Sequence, residues 1–240
     1  MEGEPAEAGE SGMNAHSFLT TEETARVEAA IAEAEQTTAA EFVCAVATES
    51  GRYDRAESVL GLVFSLIFLG LAYTAPTFSS TASSGSWTEV SPPGLPWLAL
   101  AVVGGFLAGN LLGTHLHGLR RLLVSQKEME EETLKAASHV FALRRISGAE
   151  ARAGVLIYLS LFERRVVILA DHAAGQALST ADIEALRDIA LEKLVRKERS
   201  QSFLATLEAA CEHLIKGLPP LPEGSRNELP NELAIFHPRP

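Results

Sequence analysis

Thr24, Val27, Ile31 and Ala34 recur at helical spacing after Thr20-Thr21-Glu22-Glu23. This predicts an amphipathic helix opened by a capping box, Thr20 with Glu23 three residues on. Glu41–Thr48 is apolar at most positions and predicts a strand buried on both faces. Tyr53–Glu57 begins a helix that can run directly into Ser58–Pro76, the first of two stretches without a charged residue; the second is Leu95–Thr114. Leu119–Ile146 reads as one long helix, with Leu119, Leu122, Leu123, Leu134, Ala137, Val140 and Phe141 on its apolar side. Gly154–Leu161 and Val166–Ala170 read as strands joined by Phe162-Glu163-Arg164-Arg165, and so short a link makes them antiparallel. Ile183, Leu186, Ala190 and Leu194 mark a helix from Ser179 or Thr180; Phe203, Leu207, Ala210 and Leu214 mark another from Ser200, stopped by Gly217 and Pro219. The chain from Leu218 is rich in Pro, Asn and Glu and reads as extended.

The two uncharged stretches each approach the ~20 residues that cross a ~30 Å hydrocarbon layer, and a chain of 240 residues has no protein core large enough to wrap both. They read as a transmembrane hairpin, helix 1 at 58–76 and helix 2 at 95–115, with lipid as their partner. The joining loop, 77–94, is Ser/Thr-rich and ends Ser-Pro-Pro-Gly; Tyr73, Trp87 and Trp97 lie near it, as aromatic residues do at an interface. Arg52 and Arg55 precede the first span, Arg120, Arg121 and Lys127 follow the second, and the loop has no Lys or Arg. The positive-inside rule then puts both termini in the cytoplasm and the loop outside.

Ala101, Gly105, Gly109 and Gly113 stand four apart and form one small-residue stripe; Gly61 and Ser65 offer the same spacing on the first span. In lipid, close backbone approach through small residues is a main attraction between helices. The stripe predicts either a tight hairpin or association with a second copy or another membrane protein. Asn110 is expected to bond across helices, and spans without an ionisable residue make a poor channel or transporter. His115 and His117, two apart on a helix, do not share a face.

Charge follows the same division. Residues 1–57 carry 13 acids and 3 bases, and residues 115–240 carry 17 of each. No basic patch with interleaved aromatics occurs, so nucleic acid is not an expected partner. The first 16 residues have neither a basic nor an apolar signal region and read as a disordered acidic leader. Cys44 and Cys211 belong to no Cys/His cluster and read as buried thiols.

The order of elements predicts an α/β (α+β) domain: a small mixed sheet packed by helices and interrupted by the transmembrane hairpin. The domain is built from 17–57 and 116–217, with the extended Pro-rich tail at 218–240.

Several runs carry a resemblance. They are Phe18-Leu19-Thr20, Thr38-Ala39-Ala40-Glu41-Phe42-Val43, Ala153 through Ser160, Glu163 through Asp171, and Asn227-Glu228-Leu229-Pro230-Asn231-Glu232-Leu233. Over roughly residues 17–235 they resemble the TPM domain family, named for a thylakoid lumen protein, a photosystem II repair protein and a receptor-associated auxiliary protein. The likeness is to its bacterial membrane branch, in which a helical hairpin interrupts the domain. It implies a multi-pass protein of a bacterial inner (plasma) membrane. It also implies acid-phosphatase activity, as in some plant members, divalent-cation binding, as in others, or complex-maintenance and accessory roles, as in further members. Arg152 and Ala153 stand where divergent soluble members commonly carry Asp and Asn.

Among the residues themselves, no nucleotide-binding, zinc-protease or nucleophile-elbow signature is present. Glu163, Arg164, Arg165, Asp171 and Asp182 form the best polar group. Asp171 and Asp182 are the candidate ligands for Ca²⁺ or Mg²⁺ if the loop between them folds back, which a metal-dependent phosphohydrolase would need. The competing reading makes Asp171 a turn residue and Asp182 a first-turn helix carboxylate. Two functions therefore stand side by side: a cytoplasm-facing binding or assembly module on a membrane anchor, and a divalent-metal-dependent phosphatase-like hydrolase.

Overall fold

The computed structural model describes residues 14–82, 93–115, 117–146, 153–220 and 230–240. Outside them fall most of the acidic leader, most of the 77–94 loop with Trp87, Glu150 to Arg152, and Asn227 to Leu229 of the tail. In chain order the elements are α1 (Thr21–Thr37), β1 (Ala40–Ala47), α2 (Asp54–Ala82), α3 (Leu95–His115), α4 (His117–Leu123) and α5 (Gln126–Leu143). They continue with β2 (Ala153–Ser160), β3 (Arg165–Ala170), α6 (Ala174–Ala177), α7 (Thr180–Val195), α8 (Arg199–Leu214) and β4 (Ala234–Phe236). The chain divides into two units, one made of residues up to Gly51 and from Lys127 onward, the other of Arg52–Gln126.

The first unit is a mixed α/β domain around a sheet of order β3-β2-β1-β4. β1 and β2 pair in parallel from Ala40 opposite Ala153 to Ala47 opposite Ser160. β4 runs parallel to the end of β1, and β3 is antiparallel to β2 as the short link requires. β1 and β2 are buried at every position because both faces of the sheet are covered. Phe42, Cys44, Val46, Val155, Ile157 and Leu159 pack with residues of α1, α7 and α8. Val43, Ala45, Leu156 and Tyr158 pack with Ala136, Ala137 and Val140 of α5. Gly154 sits where a side chain would collide with the backbone of Ile146, so only glycine fits there.

The capping box forms as expected: Thr20 Oγ1 accepts from Glu23 N at 3.2 Å and Thr20 N donates to Glu23 Oε2 at 2.9 Å. Three expectations change. The single helix over 119–146 is two helices, α4 and α5. Ser125 stands at the N-cap position with Glu128 three residues on, a start signal inside the run. The tail from 218 is not merely extended, because Ala234–Phe236 adds a strand to the sheet edge. The leader is not disordered up to residue 16: Asn14 accepts from His16 N, Ala15 is buried, and Ala15 N donates to Thr48 Oγ1 at 2.9 Å.

The second unit contains two helices long and apolar enough to cross a membrane, over Asp54–Thr74 and Leu95–Gly113. α2 continues through Pro76 to Ala82, since a proline removes one helical hydrogen bond without having to end the helix. The glycines lie where α2 and α3 meet. A Cβ on Gly109 would stand 2.6 Å from Leu60 O, one on Gly105 2.8 Å from Phe64 O, one on Gly61 2.9 Å from the Phe106 ring, and one on Gly113 3.2 Å from the Leu60 side chain. Among the described residues, Ser65 Oγ joins the two helices by a hydrogen bond to Val102 O at 3.0 Å, where the sequence pointed to Asn110. Where the unit's chain ends approach, Arg120 lies 3.5 Å from Glu57 and 5.4 Å from the centre of the Tyr53 ring.

Candidate functional site

Because β1, β2 and β4 are parallel, their carboxyl ends share one edge of the sheet, where polar groups of distant sequence meet. The centre of that edge is Glu163, only 2% exposed. Its Oε1 accepts from Ser50 N at 2.9 Å and from Gly51 N at 3.3 Å, and its Oε2 accepts from the Ser160 hydroxyl. Ser50 Oγ donates to Ser160 Oγ at 2.7 Å and lies 3.0 Å from Tyr158 Oη. With the Ser50 proton directed at Ser160, Tyr158 donates to Ser50. Three hydroxyls then point in sequence toward one carboxylate. Burial pushes the Tyr158 phenol well above its ordinary pKa, so it keeps its proton and remains a donor.

Beside this chain, Thr48 Oγ1 lies 2.8 Å from His237 Nδ1, and the His237 ring meets that of His16 edge to face at 5.8 Å. Arg239 lies 3.4 Å from Glu49. Backbone bonds from Thr48 N to Phe236 O and from Glu49 N to Pro238 O extend the β1–β4 pairing. The start of the described chain and its carboxyl end are thus tied to the Thr48–Gly51 turn, beyond which the chain enters the second unit.

The five polar residues singled out from the sequence separate. Glu163 is the buried acceptor just described. Arg164 is exposed with φ 54°, and Arg165 lies 3.6 Å from Glu130 of α5. Asp171 Oδ1 accepts from Ala174 N at 2.8 Å, closing the turn after β3. Asp182 Oδ2 accepts from Ser179 N and Ser179 Oγ at 2.8 and 2.6 Å. The Ser179 hydroxyl and backbone hold the Asp182 carboxyl below its usual range. Each candidate metal ligand is therefore engaged within its own turn. Among the described residues no three His, Cys, Asp or Glu side chains converge as a metal site. Ser50, Tyr158, Ser160 and His237 gave no sequence signal as a site, since Ser50 meets Tyr158 and Ser160 across 108 and 110 residues, and His237 meets Thr48 across 189.

No family model and no curated protein matches the chain. The chain is similar to a solved structure described as the NMR structure of BA42 protein from the psychrophilic bacterium Bizionia argentinensis, with a TM-score of 0.52 and 16% identity. The match covers 91% of this chain and 95% of that one. At that identity the likeness concerns the fold alone.

Proposed function

We propose that the chain is a membrane-anchored binding or assembly module of the TPM type, held in a bacterial inner (plasma) membrane by its hairpin. Both termini and the α/β domain face the cytoplasm, and the partner is another membrane protein or a second copy. One observation carries the anchoring: the apolar side chains of α2 and α3 point outward. Leu62, Leu66, Leu100, Leu107 and Leu111 keep 57–64% of their surface exposed, and only 28% and 11% of the residues in the two apolar windows are buried. A core helix of a water-soluble protein buries such residues, whereas exposed apolar surface of this extent requires a lipid or protein partner. The arginines and lysine flanking the helices support the orientation. Glu163, buried and accepting from Ser50 N, Gly51 N and the Ser160 hydroxyl, suits a group that fixes the Thr48–Gly51 turn better than one that turns over a substrate. The metal-dependent hydrolase reading rests on the family resemblance alone, because Asp171 and Asp182 are engaged locally.

Expression in bacteria followed by high-speed centrifugation and flotation tests the anchoring: the full chain is expected in the floated membrane fraction and is released by detergent, not by salt or carbonate. Recovery in the supernatant without detergent refutes it. In a Cys211→Ser background, an impermeant thiol reagent applied to intact cells is expected to label Ser84→Cys and to spare Glu184→Cys. The reverse pattern refutes the orientation.

A further inference from the structure

Between α1 and α8 runs an open groove of about 460 Å³. It exists because the facing residues are small: Ala30, Ala34 and Thr37 on α1 oppose Cys211 on α8, with Leu204 and Leu207 along the floor. Its α8 wall follows positions 204, 207, 208, 211, 212 and 215, which at helical rise is ~16 Å of continuous length. Burial raises the Cys211 thiol above its ordinary pKa, so it stays protonated and belongs to the apolar floor.

The rim has one sign. Glu33, Glu208 and Glu212 line it, all three exposed, and no cation lines the groove. The basic side chains at this end of α8 are turned elsewhere: His213 lies 3.4 Å from Asp182 of α7, and Lys216 also acts on Asp182. Glu208 and Glu212 stand one helical turn apart, with Glu33 on the facing helix, a spacing that suits cations placed at i and i+4 on either flank of an apolar stripe.

We infer that the α1–α8 groove docks a basic amphipathic helix of a partner protein, its apolar stripe seated over Ala30, Ala34, Leu204 and Cys211 and its Lys or Arg residues meeting Glu33, Glu208 and Glu212. A second copy docking through the same groove is disfavoured, because it would set three carboxylates against three. This partner class rests on the binding-module reading. The two fail separately, because flotation reads only the hairpin and the following measurement reads only the groove.

The full chain, in phosphatidylcholine discs, is titrated into a fluorescent leucine–lysine peptide of about 14 residues, long enough as a helix to span ~20 Å, with empty discs subtracted. Anisotropy is expected to show saturable binding, weakened about tenfold or more by Glu208→Lys with Glu212→Lys. Ala30→Phe, which fills the groove, is expected to weaken it comparably, with an unchanged circular dichroism melt as the control for folding. Glu184→Lys with Asp188→Lys makes the same change of net charge on α7 and is expected to leave binding unchanged. Saturating peptide is also expected to slow alkylation of Cys211 at alkaline pH several-fold, the fully buried Cys44 staying silent. Equal weakening by the α7 pair would reduce the effect to net charge and overturn the proposal. So would unprotected Cys211, an indifferent Ala30→Phe, or self-association of the discs that Ala30→Phe abolishes, the last assigning the groove to a second copy.

Discussion

Leu156, in β2, has none of its surface exposed, whereas Leu66, in α2, keeps 61% exposed. Glycines show the converse. Gly105 and Gly109 sit at the closest contact between α2 and α3, while the domain fills its interior with Phe42, Phe162, Phe203 and Tyr158. On the proposed reading of the second unit as a membrane hairpin, the two units invert each other's rule because their solvents differ. Water drives large apolar side chains inward, so the domain buries them and packs them densely. Where the surroundings are hydrocarbon, large apolar groups gain nothing by turning inward, and small residues that let backbones approach supply the cohesion.

The sharpest way to break this contrast is one substitution made in both units. Leu156→Ala is expected to destabilise the domain by about 2–5 kcal/mol, read as a fall in the far-ultraviolet melt of the full chain in bilayer discs. Leu66→Ala, measured alike, is expected to change stability by less than about 0.5 kcal/mol. A comparable loss at both positions would mean that protein, not lipid, covers α2.

Glu163→Ala comes next, at about 3 kcal/mol, since it leaves Ser50 N, Gly51 N and the Ser160 hydroxyl without their acceptor. Hydrogen exchange is expected to speed up first at Ser50 and Gly51. Protection unchanged there would remove Glu163 from its anchoring role.

Gly109→Leu, which drives a side chain into the backbone at Leu60, is expected to cost the hairpin about 1–3 kcal/mol. Gly104→Leu, at a position where an added Cβ meets nothing within 4 Å, is expected to cost little. Both of the chain's tryptophans, Trp87 and Trp97, lie in the second unit, so tryptophan emission on heating follows the hairpin and not the domain. Equal effects of the two glycine changes would show that the stripe is not the contact.

The smallest effect belongs to the helix caps. Thr20→Ala is expected to cost about 1 kcal/mol. The backbone N–H of Thr20 holds the Glu23 carboxyl below its ordinary range, as Ser179 holds that of Asp182. A carboxylate with its pKa depressed in the folded state contributes fully above the ordinary carboxylate range and loses that contribution as pH falls through the depressed value. Glu23→Gln, which removes the titrating carboxylate, should therefore flatten part of the acid-side slope of stability. An identical slope in the variant would remove Glu23 from it.

Local signals made much of the fold legible. Thr20 with Glu23, and Ser179 before its helix, announced helix starts that chemistry within three residues decides. The short link around Phe162-Glu163-Arg164 left no geometry but antiparallel for its strands. β4 was missed because Ala234–Phe236 is three residues long and gains its identity only from the β1 edge it joins. The split between α4 and α5 was missed because the leucine periodicity hid the start signal at Ser125. The candidate site was less legible still. Glu163 stood out as one charge among several, and nothing local separated it from Asp171 or Asp182.

The sequence by itself determined which stretches are long and apolar enough to cross a membrane and which are amphipathic, and where most helices begin, because transfer free energy and capping depend on residues close together in the chain. The tertiary structure alone decided that the Glu163 carboxylate is buried, that Ser50, Tyr158 and Ser160 converge on it, and that small residues on α1 and α8 leave a groove rimmed by glutamates. Those arrangements are set by strand register and helix packing, which join positions far apart in sequence and leave no mark on either neighbourhood.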